Sequence, residues 1–253
     1  MNRCLQLLVL LLALSPGTVP AGEELRCGVA TGFPPYQFSL DGEPAGFDVD
    51  VARAVCARLG LTPRFEQGDW DNVINLLRFG NLDVIVGMEV NSFRGEFFDF
   101  TAPYSTRHDA VFVLANSTAT REEDLFGGVV TGDRHSFVEL HWQERGIHRN
   151  IRVTQTGTKA EAMQSLAEGR SLAAIMPLEV GRYLAREKGL AVRVLLEPDP
   201  GSDVAVALPK GRPELLRRLN EALEALRTDG ELDALARTWF DPPAQGNGAP
   251  VQP

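Results

Sequence analysis

The sequence has only three cysteines among its 253 residues, and no two of them form a Cys-X-X-Cys pair. This excludes a disulfide-dense miniprotein and a thioredoxin-like redox motif. Basic residues are also scarce, since 25 Lys and Arg stand against 34 Asp and Glu, for a formal net charge of −9. No nucleic-acid partner is therefore expected. Hydrophobic residues make up 44% and charged residues 23%, the composition of an average soluble protein with a real core.

Common catalytic motifs are missing as well. The sequence contains no Gly-X-Ser-X-Gly, no P-loop and no His-Glu-X-X-His. The four histidines are His108, His135, His141 and His148, and the last three are spaced six and seven residues apart, which matches no short metal motif. We therefore expect no metal site and no cofactor.

Only one hydrophobic run is long, and it lies at the start of the chain. Residues 5–14 form ten consecutive mostly apolar positions after Arg3, too few for a bilayer span of about 20 residues. Val19 to Ala21 then places small residues where a signal peptidase needs them. This predicts a signal peptide cleaved before Gly22 and a periplasmic protein, with an uncleaved anchor as the alternative. A lipoprotein is not expected, because Cys4 precedes the run.

Export would place the remaining cysteines, Cys27 and Cys56, in an oxidising compartment. Cys27 falls in a predicted first strand and Cys56 in the helix that should pack on it. A disulfide between them would close a loop of about 29 residues and contribute ~3.5 kcal/mol. Two buried free thiols are the alternative.

The mature chain alternates between strand and helix patterns, twice over. A strand at 25–30 precedes a helix at 48–59, which Gly60 ends, and Pro177 is placed at the first position of a helix after a strand at 172–176. The pattern predicts two α/β lobes, each a sheet flanked by helices. Further strands are predicted at 64–67, 83–88, 110–114, 127–131, 151–154 and 203–208, further helices at 137–145, 159–168, 213–228 and 231–240 and from 71, and a disordered tail at 242–253.

Several short motifs occur in a specific order. They are GFPPY at 32–36, GFDVDVA at 46–52, WDNVI at 70–74, GNLDVI at 80–85, DFTAPY at 99–104, DGEL at 229–232 and WF at 239–240. Together they resemble the family 3 extracellular solute-binding proteins, the polar amino acid receptors of bacterial ABC importers. These proteins in turn resemble the ligand cores of ionotropic glutamate receptors.

The resemblance implies a two-lobed periplasmic-binding-protein clamp, type II-like, that closes on a small polar ligand. Lobe 1 would comprise residues 22–105 and 204–241, and lobe 2 residues 107–201. The protein would be a monomer that delivers its ligand to the membrane permease of an ABC importer. Two alternatives remain: a sensor partner that reports a solute to a membrane receptor, and a cyclohexadienyl-dehydratase-like enzyme with Glu179 near that enzyme's general acid.

The resemblance also assigns roles to individual residues. Arg94 matches the carboxylate anchor, Phe33 and Trp70 match aromatic walls, and Gly87 matches a position that offers backbone groups to the ligand. Ser136 falls near the hydroxyl donor of lobe 2.

Less specific interpretations of these residues stay open. Arg94 could be a surface arginine paired with Glu96 or Asp99, and Phe33 and Trp70 could be ordinary core aromatics.

Two positions depart from the family pattern. Glu89 stands where a small hydroxyl residue is usual, so its carboxylate would repel a ligand carboxylate or hold Arg94 in an internal pair. Pro177 stands where the family has an aspartate that binds the ligand's ammonium group. Either Glu89 or Glu179 accepts the ammonium group instead, or the ligand is not an ordinary α-amino acid.

Overall fold

The computed structural model describes residues 23–132, 137–196 and 200–241, without the side chains of residues 137 and 140. The predicted signal peptide, Ser136 and the whole predicted tail lie outside these ranges. Within the described residues, the strands are β1 Glu24–Ala30, β2 Gly32–Phe33, β3 Gln37–Leu40, β4 Glu43–Ala45, β5 Thr62–Gly68, β6 Val84–Glu89, β7 Phe98–Phe100, β8 Ser105–Arg107, β9 Asp109–Leu114, β10 Val129–Gly132, β11 Arg152–Thr154, β12 Ala173–Pro177, β13 Val192–Val194 and β14 Ser202–Pro209. The α-helices are α1 Phe47–Leu59, α2 Trp70–Arg78, α3 Ser92–Gly95, α4 Phe137–Glu144, α5 Lys159–Ala167, α6 Leu178–Glu187, α7 Pro213–Thr228 and α8 Glu231–Phe240.

Two sheets, each covered by helices, form the two lobes of a clamp. The first sheet has the order β5-β1-β6-β14-β7, with β8 also paired to β14, and α1, α2, α7 and α8 belong to its lobe, lobe 1. The second sheet has the order β11-β10-β12-β9-β13, and α4, α5 and α6 pack in its lobe, lobe 2. Strand β14 returns from lobe 2 and pairs antiparallel with β6 in the middle of the first sheet. The lobe bounds at residue level stay a prediction.

Local sequence signals explain where several helices begin and end. Helix α1 ends at Gly60, whose φ of 68° is left-handed, as predicted from its glycine. Helix α2 begins at Trp70, one residue before the predicted start at 71. Asp69 caps it, because its side chain accepts a hydrogen bond from the Asn72 amide at 3.0 Å. Pro177 is also placed differently, since it ends β12 and precedes α6 as its N-cap rather than starting the helix.

The lobes contact each other in this structure. The ring of Phe38 on β3 lies 5.8 Å from that of Tyr183 on α6. Strand β3 belongs to a small antiparallel sheet, β2-β3-β4, whose strands were not predicted from the sequence. No helix in the described part of the chain is both long enough and apolar enough to cross a bilayer.

Candidate ligand-binding cleft

The carboxyl end of β6 forms the centre of the site. Gly87 has a φ of +83° and interrupts the regular pairing of β6 with β14. A Cβ atom at this position would lie 2.1 Å from Oδ2 of Asp48 and 2.2 Å from Nε2 of Gln37, so only glycine fits without a shift. The predicted use of Gly87 backbone groups by a ligand stays a prediction, and the Gly87 carbonyl already accepts a hydrogen bond from Arg107 at 2.9 Å.

Arg94 lies on the short helix α3, just beyond β6. The side chain of Asn91 accepts a hydrogen bond from the Arg94 amide at 2.8 Å and so fixes the start of this helix. Nη1 of Arg94 donates to the carbonyl oxygen of Glu89 at 2.8 Å. Among the described residues, no ion pair joins Arg94 to Glu96 or Asp99, and its Nε and Nη2 have no hydrogen-bond partner. Two donors of the guanidinium are therefore left for a ligand.

The two predicted aromatic walls lie beside the arginines of this region. Trp70, the first residue of α2, is half-buried, and its ring centre lies 5.8 Å from Cζ of Arg94. Phe33 is also half-buried and stacks on Tyr36, with ring centres 5.5 Å apart. Both residues pack against hydrophobic core clusters with part of their surface and stay partly exposed. Their contact with a ligand stays a prediction.

Glu89 does not form the predicted side-chain pair with Arg94. Its Oε1 instead lies 3.7 Å from Nη1 of Arg107, and only its backbone carbonyl contacts Arg94. The Glu89 side chain remains 36% exposed. Burial lowers the pKa of Arg94 and the Glu89 carboxylate raises it, so the two charges still sense each other.

Sequence reasoning missed the strongest charge pair of the region. Nη2 of Arg107 lies 2.6 Å from Oδ2 of Asp48, and both side chains are almost fully buried. The hydroxyl of Tyr104 and the amide of Gln37 also donate to Asp48, at 2.6 and 2.8 Å. Asp48 is part of the GFDVDVA motif, and a buried aspartate requires donors or a cation nearby. That requirement was the available signal for a partner, although it could not name Arg107.

Lobe 2 contributes charged groups on the facing side. Burial lowers the pKa of Lys159, the first residue of α5, while the carboxylates of Asp109 and Glu89 raise it. Lys159 therefore senses Glu89 of lobe 1. Pro177 lies opposite Asp109 in the antiparallel register of β12 and β9, which places a carboxylate-bearing residue beside the proline.

Glu179 lies in the first turn of α6. Its Oε1 accepts a hydrogen bond from Arg182 at 3.0 Å, whereas its buried Oε2 has no hydrogen-bond partner among the described residues. Burial raises the pKa of Glu179, and the Asp241 carboxylate adds to that shift. Ser136, the other predicted residue of lobe 2, lies outside the described residues.

Cys27 and Cys56 are buried free thiols and do not form a disulfide, which is the second of the two predicted alternatives. The Cys27 thiol donates to the carbonyl of Leu25 at 3.4 Å, and the neighbouring Cys56 thiol, together with burial, raises the pKa of Cys27. Packed between β1 and α1, they act as small apolar side chains. In the described part of the chain, no group of three His, Cys, Asp or Glu residues is placed to hold a metal ion.

The chain is similar to known proteins over nearly its whole length. It is 27% identical to ABC transporter arginine-binding protein 1 of Escherichia coli, over 87% of this chain and 92% of that protein. It is 29% identical to the L-arginine-binding protein of Pseudomonas aeruginosa, over 90% and 92% of the two chains.

Solved structures also resemble this chain over most of its length. A histidine kinase sensor domain with similarity to periplasmic binding proteins has a TM-score of 0.74 and 30% identity, over 87% of this chain and 97% of the other. The ancestral amino acid-binding protein AncCDT-1, a precursor of cyclohexadienyl dehydratase, has a TM-score of 0.73 and 28% identity, over 86% and 95%. The family model for bacterial extracellular solute-binding proteins, family 3, matches residues 25–242. The chain therefore belongs to the family 3 extracellular solute-binding proteins of bacteria.

Proposed function

We propose that this protein binds a small polar ligand carrying a carboxylate, an amino acid or a related acid, between its lobes and delivers it to the permease of an ABC importer. The protein would act in the periplasm as a monomer, after cleavage of its signal peptide near Ala21. The observation that carries the proposal is the Arg94 guanidinium, which is held in place through Nη1 while Nε and Nη2 keep their donors.

The geometry around Arg94 suits a carboxylate. A planar guanidinium binds both carboxylate oxygens in one plane, and each charge-assisted bond contributes roughly 1.5–3 kcal/mol. The backbone bond to Glu89 and the neighbouring Trp70 ring limit the motion of the guanidinium before the ligand arrives. Less side-chain entropy is then lost on binding.

Glu89 is the best-placed acceptor for a positive group on the ligand. Its side chain is partly exposed and lies on the same strand end that holds Arg94. Glu179 is a weaker candidate, because it is paired with Arg182. The proposed ligand therefore carries both charges: the carboxylate binds Arg94 and the amine binds Glu89. The names of the two arginine-binding relatives agree with a ligand of this kind.

A thermal-shift screen of amino acids and small carboxylates would identify the ligand, and calorimetry would measure its affinity. Replacing Arg94 by alanine removes two charge-assisted bonds, so we expect a loss of about 100-fold or more in affinity. The melting temperature of the ligand-free variant should stay within a few degrees of wild type. Arg121→Ala on the exposed face of lobe 2 is the control. Unchanged affinity in Arg94→Ala would contradict the proposal.

A second candidate function is sensing, which the similarity to a histidine kinase sensor domain favours. Uptake of the radiolabelled ligand by a strain lacking this protein separates the two functions. Loss of uptake supports transport. Normal uptake, together with a lost transcriptional response to the ligand, supports a sensor partner.

We propose no chemical change to the ligand, although AncCDT-1 relates this scaffold to an enzyme. Glu179 has the raised pKa of a general acid, but its Oε1 is engaged by Arg182. Incubation with prephenate should therefore give no phenylpyruvate. Formation of that product would make the protein an enzyme.

A further inference from the structure

Arg107 ends β8, immediately before the chain passes from lobe 1 into lobe 2. Its side chain is 6% exposed and pairs with Asp48, which is 0% exposed. Asp48 is in turn held by the hydroxyl of Tyr104 and the amide of Gln37. The guanidinium cannot move without breaking several buried bonds, so its position is fixed relative to the first lobe.

The same guanidinium contacts three residues that the family resemblance assigns to the ligand site. Nη1 donates to the carbonyl of Gly87 at 2.9 Å and lies 3.7 Å from Oε1 of Glu89. Cζ of Arg107 lies 5.1 Å from the ring centre of Phe33. The third nitrogen, Nε, is buried and has no hydrogen-bond partner in the part of the chain that the structure describes. A buried N–H without a partner destabilises a folded protein. We therefore attribute the position of Arg107 to its contacts with the cleft residues and not to complete hydrogen bonding of its side chain.

We propose that Arg107 is a positioning residue that ties the segment between the lobes to the floor of the ligand site. It orients the carboxylate of Glu89, the ring of Phe33 and the carbonyl of Gly87. Because Asp48 balances the charge of Arg107, the Glu89 carboxylate is left to pair with a positive group of the ligand. This inference rests on the proposed function, since it assumes that a ligand binds beside Glu89 and Phe33.

The variant Arg107→Lys tests this role without leaving Asp48 unpaired. An ammonium group keeps the positive charge beside Asp48, but it cannot reproduce a planar fork that contacts Asp48, Gly87 and Glu89 together. It also loses the stacking of the guanidinium on the Phe33 ring. We therefore expect a folded protein whose ligand affinity falls about tenfold.

A double-mutant cycle separates positioning from general stability. Ligand affinity is measured by calorimetry for wild type, Arg107→Lys, Glu89→Gln and the double variant. If Arg107 acts through Glu89, the double variant should bind at least fivefold more tightly than the product of the single effects predicts. Independent effects that simply multiply would overturn the proposal.

Arg26→Lys is the matched control, because Arg26 pairs with Asp83 on the same sheet and contacts none of the site residues named here. It should lower the melting temperature and leave ligand affinity unchanged. If Arg94→Ala also leaves affinity unchanged, the proposed function fails. If only Arg94→Ala weakens binding and Arg107→Lys binds like wild type, the positioning role alone fails.

Hydrogen exchange of the ligand-free protein gives a measurement that needs no ligand. In Arg107→Lys, peptides covering 85–90 and 105–107 should exchange faster together, since one guanidinium holds both segments. Exchange in both segments at the wild-type rate would overturn the proposal.

Discussion

At the scale of single residues, the two arginines of the cleft differ in what balances their charge. Arg107 is fully buried against the carboxylate of Asp48, as the high cost of an unpaired buried charge requires. Arg94 bonds a neutral carbonyl and keeps two donors. The family resemblance identified Arg94. Arg107 could not be identified that way, because its partner is distant in the chain and only the tertiary fold joins them.

Glu89 should set the charge of the ligand, and Glu89→Thr tests this. Removing the carboxylate should weaken amine-bearing ligands about tenfold and strengthen carboxylates without an amine about fivefold. The repulsion between two like charges ~4 Å apart is on the order of 4 kcal/mol at an effective dielectric near 20, and a quarter of it gives about fivefold. Calorimetry with both ligand types measures this. A shift of the same sign for both types would contradict the assignment.

Asp83 should stabilise lobe 1 in a pH-dependent way. Hydrogen bonds from Arg26 hold the pKa of Asp83 well below its ordinary value of 3.8, with Arg212 adding a further bond. Because the folded pKa is depressed, this stabilisation is present above the unfolded pKa and is lost as pH falls through the folded pKa.

We therefore expect Asp83→Asn to lower the free energy of unfolding by about 1–3 kcal/mol at pH 7, and by progressively less below about pH 4. Urea unfolding across pH 3 to 7 measures the difference. Asp203→Asn, at an exposed position of the same sheet, is the control and should change stability little. A cost for Asp83→Asn that does not vary with pH would contradict this account.

At the scale of elements, the hydrophobic runs predicted most strands and helices well. The spacing of the residues that a strand or helix buries is a local property of the sequence. Strand β6 was expected at 83–88 and is Val84–Glu89. Its interruption at Gly87 was not predicted, because Asp48 and Gln37, from α1 and β3, impose it. The placement of β14 in the first sheet was expected only from the family resemblance. The periodicity of a sequence does not indicate which strands, distant in the chain, pair in one sheet.

Gly87→Ala should therefore be far more costly than an ordinary glycine substitution. The new Cβ would meet the Asp48 carboxylate in addition to the strain of a positive φ. Gly211→Ala is the matched control, since Gly211 has nearly the same φ, +84°, with no atom within 4 Å of the added Cβ. We expect the control to lower the free energy of unfolding by about 1–2 kcal/mol, and Gly87→Ala to lower it by at least about 2 kcal/mol more. Chemical denaturation measures both values. Equal costs would show that the packing around Gly87 yields easily.

At the scale of the whole molecule, the structure has its lobes in contact. Phe38 of lobe 1 meets Tyr183 of lobe 2, and Lys159 of lobe 2 senses Glu89 of lobe 1. Contacts of this kind form when a clamp closes, and a ligand that bridges the lobes favours the closed state. Ligand binding and the interlobe contacts should therefore stabilise each other.

Small-angle scattering should show this coupling as a smaller radius of gyration when the ligand is saturating. Tyr183→Ala removes the ring contact with Phe38 between the lobes, so it should weaken ligand binding several-fold by destabilising the closed state. The melting temperature of the ligand-free variant should change little, because α6 keeps its buried residues Val180 and Leu184. A radius that does not change on confirmed binding, together with wild-type affinity in Tyr183→Ala, would mean that the lobes already meet before the ligand arrives. Affinity would then be set by the fixed cleft residues, Arg94 first among them.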